Sequence, residues 1–490
     1  HSLLATRLVS RVRAVLGVEP TLQMVFEAPT PARLAVRLDT AETARPALTR
    51  RPRPPQIPVS FAQQRLWFLD RLDGPNATYN MPIVVGLSGV VEMAVLQAAL
   101  ADVITRHESL RTVIEVVDGQ PVQTILPEAA PQWTVTDIDR EDLEQAVAEA
   151  AGYVFDLATE IPIRAWLWHT GSDEGPAEYV LAVVMHHIAA DGWSMAPLAR
   201  DLSQAYTARL QGRAPQFGEL PVQYADYTLW QQELLGGEDD PDSLIHRQLD
   251  YWRRQLQDVP AELALPTDRP RPAVATHRGA WAPFTVSAAT YQRLVRTARD
   301  HGTTVFMLLH AVLAVLLNRI GAGDDIPVGA AMAGRGDEAL DDLVGFFVNT
   351  VVLRTDLSGD PSFAQLLTRV RDIHLGAHAH ADVPFERVVD AVGAERSVAR
   401  QALFQVMLVL QNNARAGLDL PETTLTDTGM VHAQVAKFDL VFSLTETTDA
   451  TETTGAPAGL VGGIEYATDL FDHTTITALA DRFVRVLETV

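Results

Sequence analysis

Apolar positions follow a helical rhythm at the start of the chain and mixed rhythms further on. Over 2–17, "SLLATRLVSRVRAVLG", Leu4, Leu8, Val12 and Val15 recur at helical spacing and Gly17 closes the run, so a helix is expected. A second helix is expected over 30–41, with Thr30 as its cap and Pro31 at its first position. A segment this short has no core of its own and reads as the remainder of a small helical bundle. Residues 42–58, "ETARPALTRRPRPPQIP", then carry five prolines, four arginines and no core pattern. They read as a stiff basic linker, either solvated or resting on an acidic surface.

Beyond it, helical and strand signals alternate. An amphipathic helix is expected over 94–112, an apolar strand over 178–188, and a helix over 194–210 capped by Ser194. The extended, proline-rich 263–279 reads as a crossover between two lobes. Two helices over 291–302 and 303–320 follow it, then strands "IPVGAAMAG" and "NTVVLRTDL". Residues 236–243, "GGEDDPDS", are expected as an exposed acidic loop and 445–459 as a long flexible insertion. The fold class is α/β with two large lobes.

Length and composition narrow the picture. A chain of 490 residues is too long for one core, and 47% hydrophobic with 21% charged residues is the balance of a soluble globular protein. A net charge of -23 argues against nucleic acid and disfavours an anionic membrane surface. The absence of cysteine excludes disulfides, thiolate metal sites and a cysteine nucleophile, and it fits a cytoplasmic location. The chain begins without methionine and reads as a piece of something longer. The apolar window 303–320 is broken by His310 and closed by Asn318 and Arg319, so it is expected as a buried core helix rather than a membrane span.

The stretch "VVMHHIAADGWS", 183–194, carries the candidate chemistry. Strand alternation puts Val183, Met185 and His187 on one face and Val184 and His186 on the other, so one histidine at most faces a given cleft. His187 stands at the strand end, where a loop begins, and histidine titrates near neutrality. A histidine pair in a strand is also compatible with a purely structural role. No carboxylate follows at zinc-ligand spacing, so no metal is expected, and neither a G-x-S-x-G elbow nor a phosphate-binding glycine loop is present. Periodicity alone leaves the choice open.

Further stretches bear on it. "HHIAADG" resembles the HHxxxDG signature of nonribosomal peptide synthetase condensation domains. "SFAQQRLWFLDRL" (60–72), "RHESLRT" (106–112), "YADYTLWQ" (224–231), "VGFFVNTVVLR" (344–354), "HADVPFERVV" (380–389) and "RSVARQALFQVMLVLQN" (396–412) are similar to the other motifs of that family, in family order across 56–490. "HSLLATRLVSRV" and "VFEAPTPARLA" (25–35) resemble the phosphopantetheine site and a later helix of a peptidyl carrier protein, without the carrier's first helix. The resemblance implies a division into partial carrier (1–41), Pro/Arg linker (42–58), first lobe (59–262), crossover (263–280) and second lobe (281–490). It implies two chloramphenicol-acetyltransferase-like lobes in a V.

Members of that family join two carrier-bound acyl groups: the amine on a downstream acceptor carrier attacks the thioester on an upstream donor carrier. The partners implied are therefore the donor carrier in cis and the acceptor carrier with its adenylation domain. The cofactor implied is 4'-phosphopantetheine on Ser2, where a helix N-terminus favours a phosphodiester. His187 is implied as general base, amine orienter or charge stabiliser, and His186 as a structural histidine. Asp191 is implied as a brace for the loop, paired with Arg335 or with Arg65. Gly192 is expected to take a positive φ or to let a backbone amide approach the substrate. Trp193, Ser194, Asn349 and Thr350 are expected along the channel, Tyr224, Tyr227 and Trp230 as packing, and His107 and His380 as structural or interface residues. The motifs look more like those of domains that take an L-configured or achiral donor. Three rivals stay open: a carrier-linked epimerisation domain, a non-catalytic docking domain that recruits enzymes to a carrier-bound peptide, and a free acyltransferase.

Overall fold

The computed structural model describes residues 2–74, 76–171, 178–411, 417–426, 435–448 and 457–490. Two sheets, each backed by helices, organise the chain. The first runs in the order Thr423–Thr426, Asn80–Gly89, Glu178–His186, Ile163–His169, Gln132–Asp137, antiparallel except for the last pair. The second runs Gly279–Ser287, Pro457–Ala467, Leu440–Thr448, Val406–Gln411, Asp325–Met332, Asn349–Asp356, with parallel pairing on both sides of Val406–Gln411.

Glu178–His186 is an inner strand, and Val180 to His186 are all buried. That burial on both faces explains why "VLAVVM" reads as a continuous apolar run rather than as an alternation. Helices Met93–Arg106 and Met195–Leu210 cover this sheet through Leu96, Leu100, Val103, Leu198 and Leu202. The expected 94–112 helix is shorter in the structure: it stops at Arg106, and a 3-10 turn over Glu108–Arg111 leads into strand Thr112–Val117. In the second lobe Val305–Arg319 is apolar on every side because it is buried on every side, from Met307 to Leu317. Among the described residues no single helix is long and apolar enough to cross a membrane.

The two halves interlock. Thr423–Thr426 comes from the second half of the chain and extends the first sheet along Gly86–Gly89. Leu340, Leu343, Val344, Phe346 and Phe347 join the core of the first lobe. A shared core holds Leu249 and Trp252 from the first half against Val351, Leu353 and Phe385 from the second.

The 42–58 segment is docked rather than solvated: Leu48 is buried, and Trp230 Nε1 donates to Pro46 O at 2.8 Å. Arg45 pairs with Glu19 and Asp382, Arg51 with Glu233, and Arg53 with Glu108 at 2.8 Å. The arginine run thus finds an acidic surface. The described ends of the supposed insertion, 445–448 and 457–459, are strand, and Thr445 to Thr447 pair antiparallel with Val461 to Gly459. Residues 449–456 of it, and Asn412 at the end of the 396–412 stretch, lie outside the described residues.

The N-terminal part forms helices Ser2–Leu16, Leu22–Glu27 and Pro31–Leu38, the last capped by Thr30 Oγ1, which accepts from Arg33 N. Val9, Ala28 and Leu34 are buried, while Leu4, Leu8 and Val15 of the expected apolar stripe are exposed. Arg13 donates to Gly336 O at 2.7 Å and so ties this segment to the second lobe.

Candidate active site

The strand ladder ends at His186, opposite Asn80, and the chain turns immediately afterwards. His187 N still donates to Tyr79 O at 2.8 Å, so the turn starts from a fixed point. The ring Nδ1 of His187 lies 3.1 Å from Ala190 O. A carbonyl only accepts, so Nδ1 carries the proton and the lone pair sits on Nε2. The ring is half-buried against Phe346, centroids 5.5 Å apart, which comes from the second lobe. Burial holds its pKa well below the ordinary value; the Lys437 cation and the neighbouring His186 add to this, and the Ala190 carbonyl opposes it. His187 is therefore a neutral imidazole at the junction of the lobes, and among the described residues nothing bonds its Nε2.

His186 is different. Its Nδ1 accepts from Ile188 N at 3.1 Å, and its ring packs toward Tyr79 and Phe155 inside the first lobe. Burial, with a smaller contribution from Lys437, lowers its pKa to about 3. It is a satisfied neutral core histidine.

Asp191 is fully buried, and its carboxylate is a hub between lobes. Oδ1 accepts from Ser194 N at 3.0 Å and lies 3.3 Å from Arg335 Nη2, while Oδ2 accepts from Phe347 N at 2.9 Å. Arg335 is held in turn by Leu343 O at 2.8 Å, by Leu340 O, and by the Phe347 ring 4.5 Å below its guanidinium. The geometry thus selects Arg335 over Arg65 as the partner. Arg65 pairs with Glu386 at 2.8 Å, lies over the Phe385 ring and bonds the Tyr79 hydroxyl.

Ser194 departs from both expectations. It precedes helix Met195–Leu210 without a side-chain cap bond, because Asp191 caps the preceding turn Gly192–Ser194 instead. Its Oγ is fully buried, 2.9 Å from Gly345 O and 3.0 Å from Asp191 Oδ1, so it faces no channel. Gly192 is absent from the positive-φ residues; it opens the 3-10 turn, so the positive-φ expectation falls. Trp193 is half-buried, and its indole N–H has no acceptor among the described residues.

Asn349 and Thr350 line a cleft with Arg65, Tyr227, Trp230 and Phe346. The Asn349 amide is spent internally: it donates to Ala381 O and Val383 O and accepts from Phe385 N at 3.1 Å. Tyr224 donates to Phe346 O at 2.7 Å, and Tyr224 and Tyr227 both pack on Phe347, so the i, i+3 aromatics serve as a buttress for the irregular segment that borders His187. His107 is likewise structural: Nδ1 accepts from Val344 N, which leaves Nε2 to donate to Asp201 at 2.9 Å. His380 stacks on Tyr251 with ring centroids 3.8 Å apart.

Sequence reasoning missed Tyr79, Phe346 and Lys437. Lys437 carried a signal, since it is the single lysine among 39 lysine-plus-arginine positions. Among the described residues no cluster of metal-ligating side chains occurs.

The structure thus presents a neutral histidine at the seam of two sheet-and-helix lobes, braced by a buried interlobe ion pair. Residues 55–490 match the condensation domain family and residues 1–38 the phosphopantetheine attachment site family. The chain is 52% identical over 489 residues to a probable non-canonical nonribosomal peptide synthetase of Salinispora arenicola, covering all of this chain and 6% of that protein. It is 50% identical over 490 residues to a dimodular nonribosomal peptide synthase of Bacillus subtilis, of which it spans 20%. Among solved structures, the X-domain from teicoplanin biosynthesis superposes with TM-score 0.82 at 36% identity, covering 91% of this chain and 97% of that one. The same kind of domain has been solved in complex with OxyB, at 37% identity. The chain belongs to the condensation-domain family of nonribosomal peptide synthetases, and its two lobes are chloramphenicol-acetyltransferase-like. Its first residues are a carrier segment whose serine takes 4'-phosphopantetheine. Ser2, the serine expected to bear it, opens a 15-residue helix with no acidic residue in its first turn, which suits a phosphodiester there.

Proposed function

We propose that the chain catalyses peptide-bond formation between two carrier-bound acyl groups, with an L-configured or achiral donor residue. Phosphopantetheine on the carrier serine presents the donor acyl group as a thioester. In this reading His187 Nε2 accepts a proton from the acceptor amine as its nitrogen attacks the donor carbonyl. The C–N bond forms, the C–S bond breaks, and the proton passes to the departing thiolate. Burial makes an imidazolium unfavourable at this place, so the proton is held only transiently. Alignment of the two substrates in a narrow channel supplies a further proximity contribution, up to ~7–11 kcal/mol in favourable cases. The Asp191–Arg335 pair acts on geometry: it fixes the loop that carries Ala190 and thereby the tautomer of His187.

The observation that carries this reading is the Nδ1–H···O bond of His187 to Ala190, which leaves Nε2 free in an intact HHxxxDG loop. A second reading has its own support, because an X-domain solved with OxyB shares the fold at TM-score 0.82. That reading makes the chain a platform that recruits a tailoring enzyme to a carrier-bound peptide.

A single experiment separates them. The full synthetase, its carrier loaded with an L-dipeptidyl pantetheine, is mixed in deuterated buffer with an aminoacyl acceptor carrier, and both carriers are weighed by intact mass spectrometry. Transfer of the dipeptide mass to the acceptor supports condensation. Deuterium at the donor α-carbon without transfer supports epimerisation. A donor left unchanged, together with a stable complex with OxyB, supports the platform.

A further inference from the structure

In a chain that uses arginine wherever else it needs a permanent cation, the one lysine is placed beside the reaction centre. Lys437 sits just before strand Leu440–Thr448 of the second lobe. Its segment is anchored by the Arg278–Val435 bridge and by Ala436 N donating to His277 O at 2.9 Å. From there the side chain reaches into the first lobe, with Nζ 4.8 Å from the centroid of the Tyr79 ring. The carbonyl of that same Tyr79 accepts the His187 N–H at 2.8 Å, and its ring lies 6.5 Å from the ring of His186. One residue thus holds the ammonium through its ring and the histidine through its backbone. An aromatic face stabilises a cation without neutralising it, so the charge stays available to its surroundings.

The groups facing this ammonium come from every neighbouring element. His186 and His187 belong to the end of the central strand, Arg65 to helix Phe61–Asp73, Tyr79 to the approach to strand Asn80–Gly89, and Glu465 to strand Pro457–Ala467. His277 touches the same segment through the Ala436 carbonyl. Among the described residues Glu465 is the one carboxylate that acts on Lys437, and its side chain also accepts the Lys437 backbone N–H. Arg65 is already engaged by Glu386.

We propose that Lys437 is a positioning residue for the transfer step: an ammonium carried in by the second lobe and seated on the Tyr79 ring beside the two histidines, where it adds to burial in keeping the His187 imidazole neutral. The proposal rests on the condensation reading for its purpose, but its physical content is the charge coupling between two side chains. A proton added to His187 would meet a second positive charge at a buried place, where screening is weak. The lobes must also be seated together for the charge to be in place, which makes lobe closure part of the setting of the base. Burial, and Arg65 to a lesser degree, lower the Lys437 pKa to about 8, so the coupling operates below that pH and fades above it.

The test is histidine NMR titration of the full chain with isotope-labelled histidine, the His187 signal being assigned with His187→Gln. In Lys437→Met the His187 midpoint is expected to move to higher pH, and in Lys437→Arg to stay near that of the parent protein. The sign follows directly, because loss of a neighbouring cation makes protonation easier. Parallel transfer assays across pH should show the acidic limb of the rate profile moving up in Lys437→Met, with the two profiles converging above pH about 8. A His187 midpoint unchanged in a folded Lys437→Met, or a rate loss uniform at every pH and not rescued by Lys437→Arg, overturns the proposal. Should Lys437→Met not fold, Lys437→Gln reads the same shift. The titration needs no turnover, so a parent protein that transfers nothing counts against condensation and leaves the coupling itself measured.

Discussion

Replacing Asp191 by alanine should damage the protein in a way that identifies what the residue does. The carboxylate accepts from Phe347 N at 2.9 Å and Ser194 N at 3.0 Å, and it faces Arg335 at 3.3 Å, all at a fully buried site. Removing it leaves the Arg335 charge buried without a counter-charge, a change that costs about 3–5 kcal/mol. The orphaned Phe347 N–H adds about 1–3 kcal/mol, and the two contributions overlap because they share one carboxylate. Arg335 keeps its bond to Leu343 O and the Phe347 ring beneath it, which holds the total toward the lower figure. The expected loss for Asp191→Ala is therefore about 3–5 kcal/mol, read from the urea midpoint of the first unfolding transition. In the double variant Asp191→Ala/Arg335→Met the charge disappears with its partner. Its loss should fall short of the sum of the losses in Asp191→Ala and Arg335→Met by at least about 2 kcal/mol. Hydrogen exchange should localise the effect to the Phe347 amide and the 187–194 loop. Strict additivity to within about 0.5 kcal/mol, or protection of the Phe347 amide unchanged in Asp191→Ala, would refute the brace.

Further outcomes follow from the same structure. Burial holds His186 and His310 neutral, with pKa lowered to about 3 in each, so the unfolded chain binds their protons first as pH falls. Stability should then decline from the unfolded histidine value near 6.5 toward 3, by roughly 1.4 kcal/mol per pH unit for each fully coupled histidine. Urea midpoints at pH 7 and pH 5 should converge for His310→Leu relative to the parent protein, provided that variant folds. Gly334 holds φ at +65°, where an added Cβ would stand 1.8 Å from Phe347 O, so Gly334→Ala should lower the melting temperature and disturb the adjoining Arg335. Arg45 bridges Glu19 of the carrier segment and Asp382 of the second lobe, so Arg45→Ala should raise hydrogen exchange over 42–50 while changing global stability by about 1 kcal/mol or less.

Much of the fold was legible because its signals are local. The helix over 2–17, the cap Thr30–Pro31, the strand 178–186 and the buried helix 305–319 each follow from spacing and end residues in one stretch of chain. What stayed hidden depends on pairings across hundreds of residues. Nothing in "PETTLT" announces that Thr423–Thr426 completes the first sheet beside Gly86–Gly89, because a strand of four residues has its partner specified only by the assembled fold. The site divides the same way. His187 was legible from its motif and its place at a strand end, and Arg335 as one of two named partners for Asp191. Ser194 was misread because serine before a helix usually caps it, whereas here the preceding aspartate takes that role and the hydroxyl turns to Gly345. Lys437 lay in an unremarked stretch near the C-terminal end; its rarity was visible, but its neighbours were not. The arginines of 42–58 were read correctly as cations, yet their carboxylate partners are spread from Glu19 to Asp382.

The central claim is that His187 takes part in the transfer through a free Nε2. Its most direct test is the single-turnover rate of donor transfer in the full synthetase by rapid quench, comparing the parent protein with His187→Ala and His187→Gln. The account predicts that both variants fold and that both lose about 10²–10⁴-fold in rate, the span expected for a positioned general base. Transfer at the parental rate in a folded His187→Ala would contradict it.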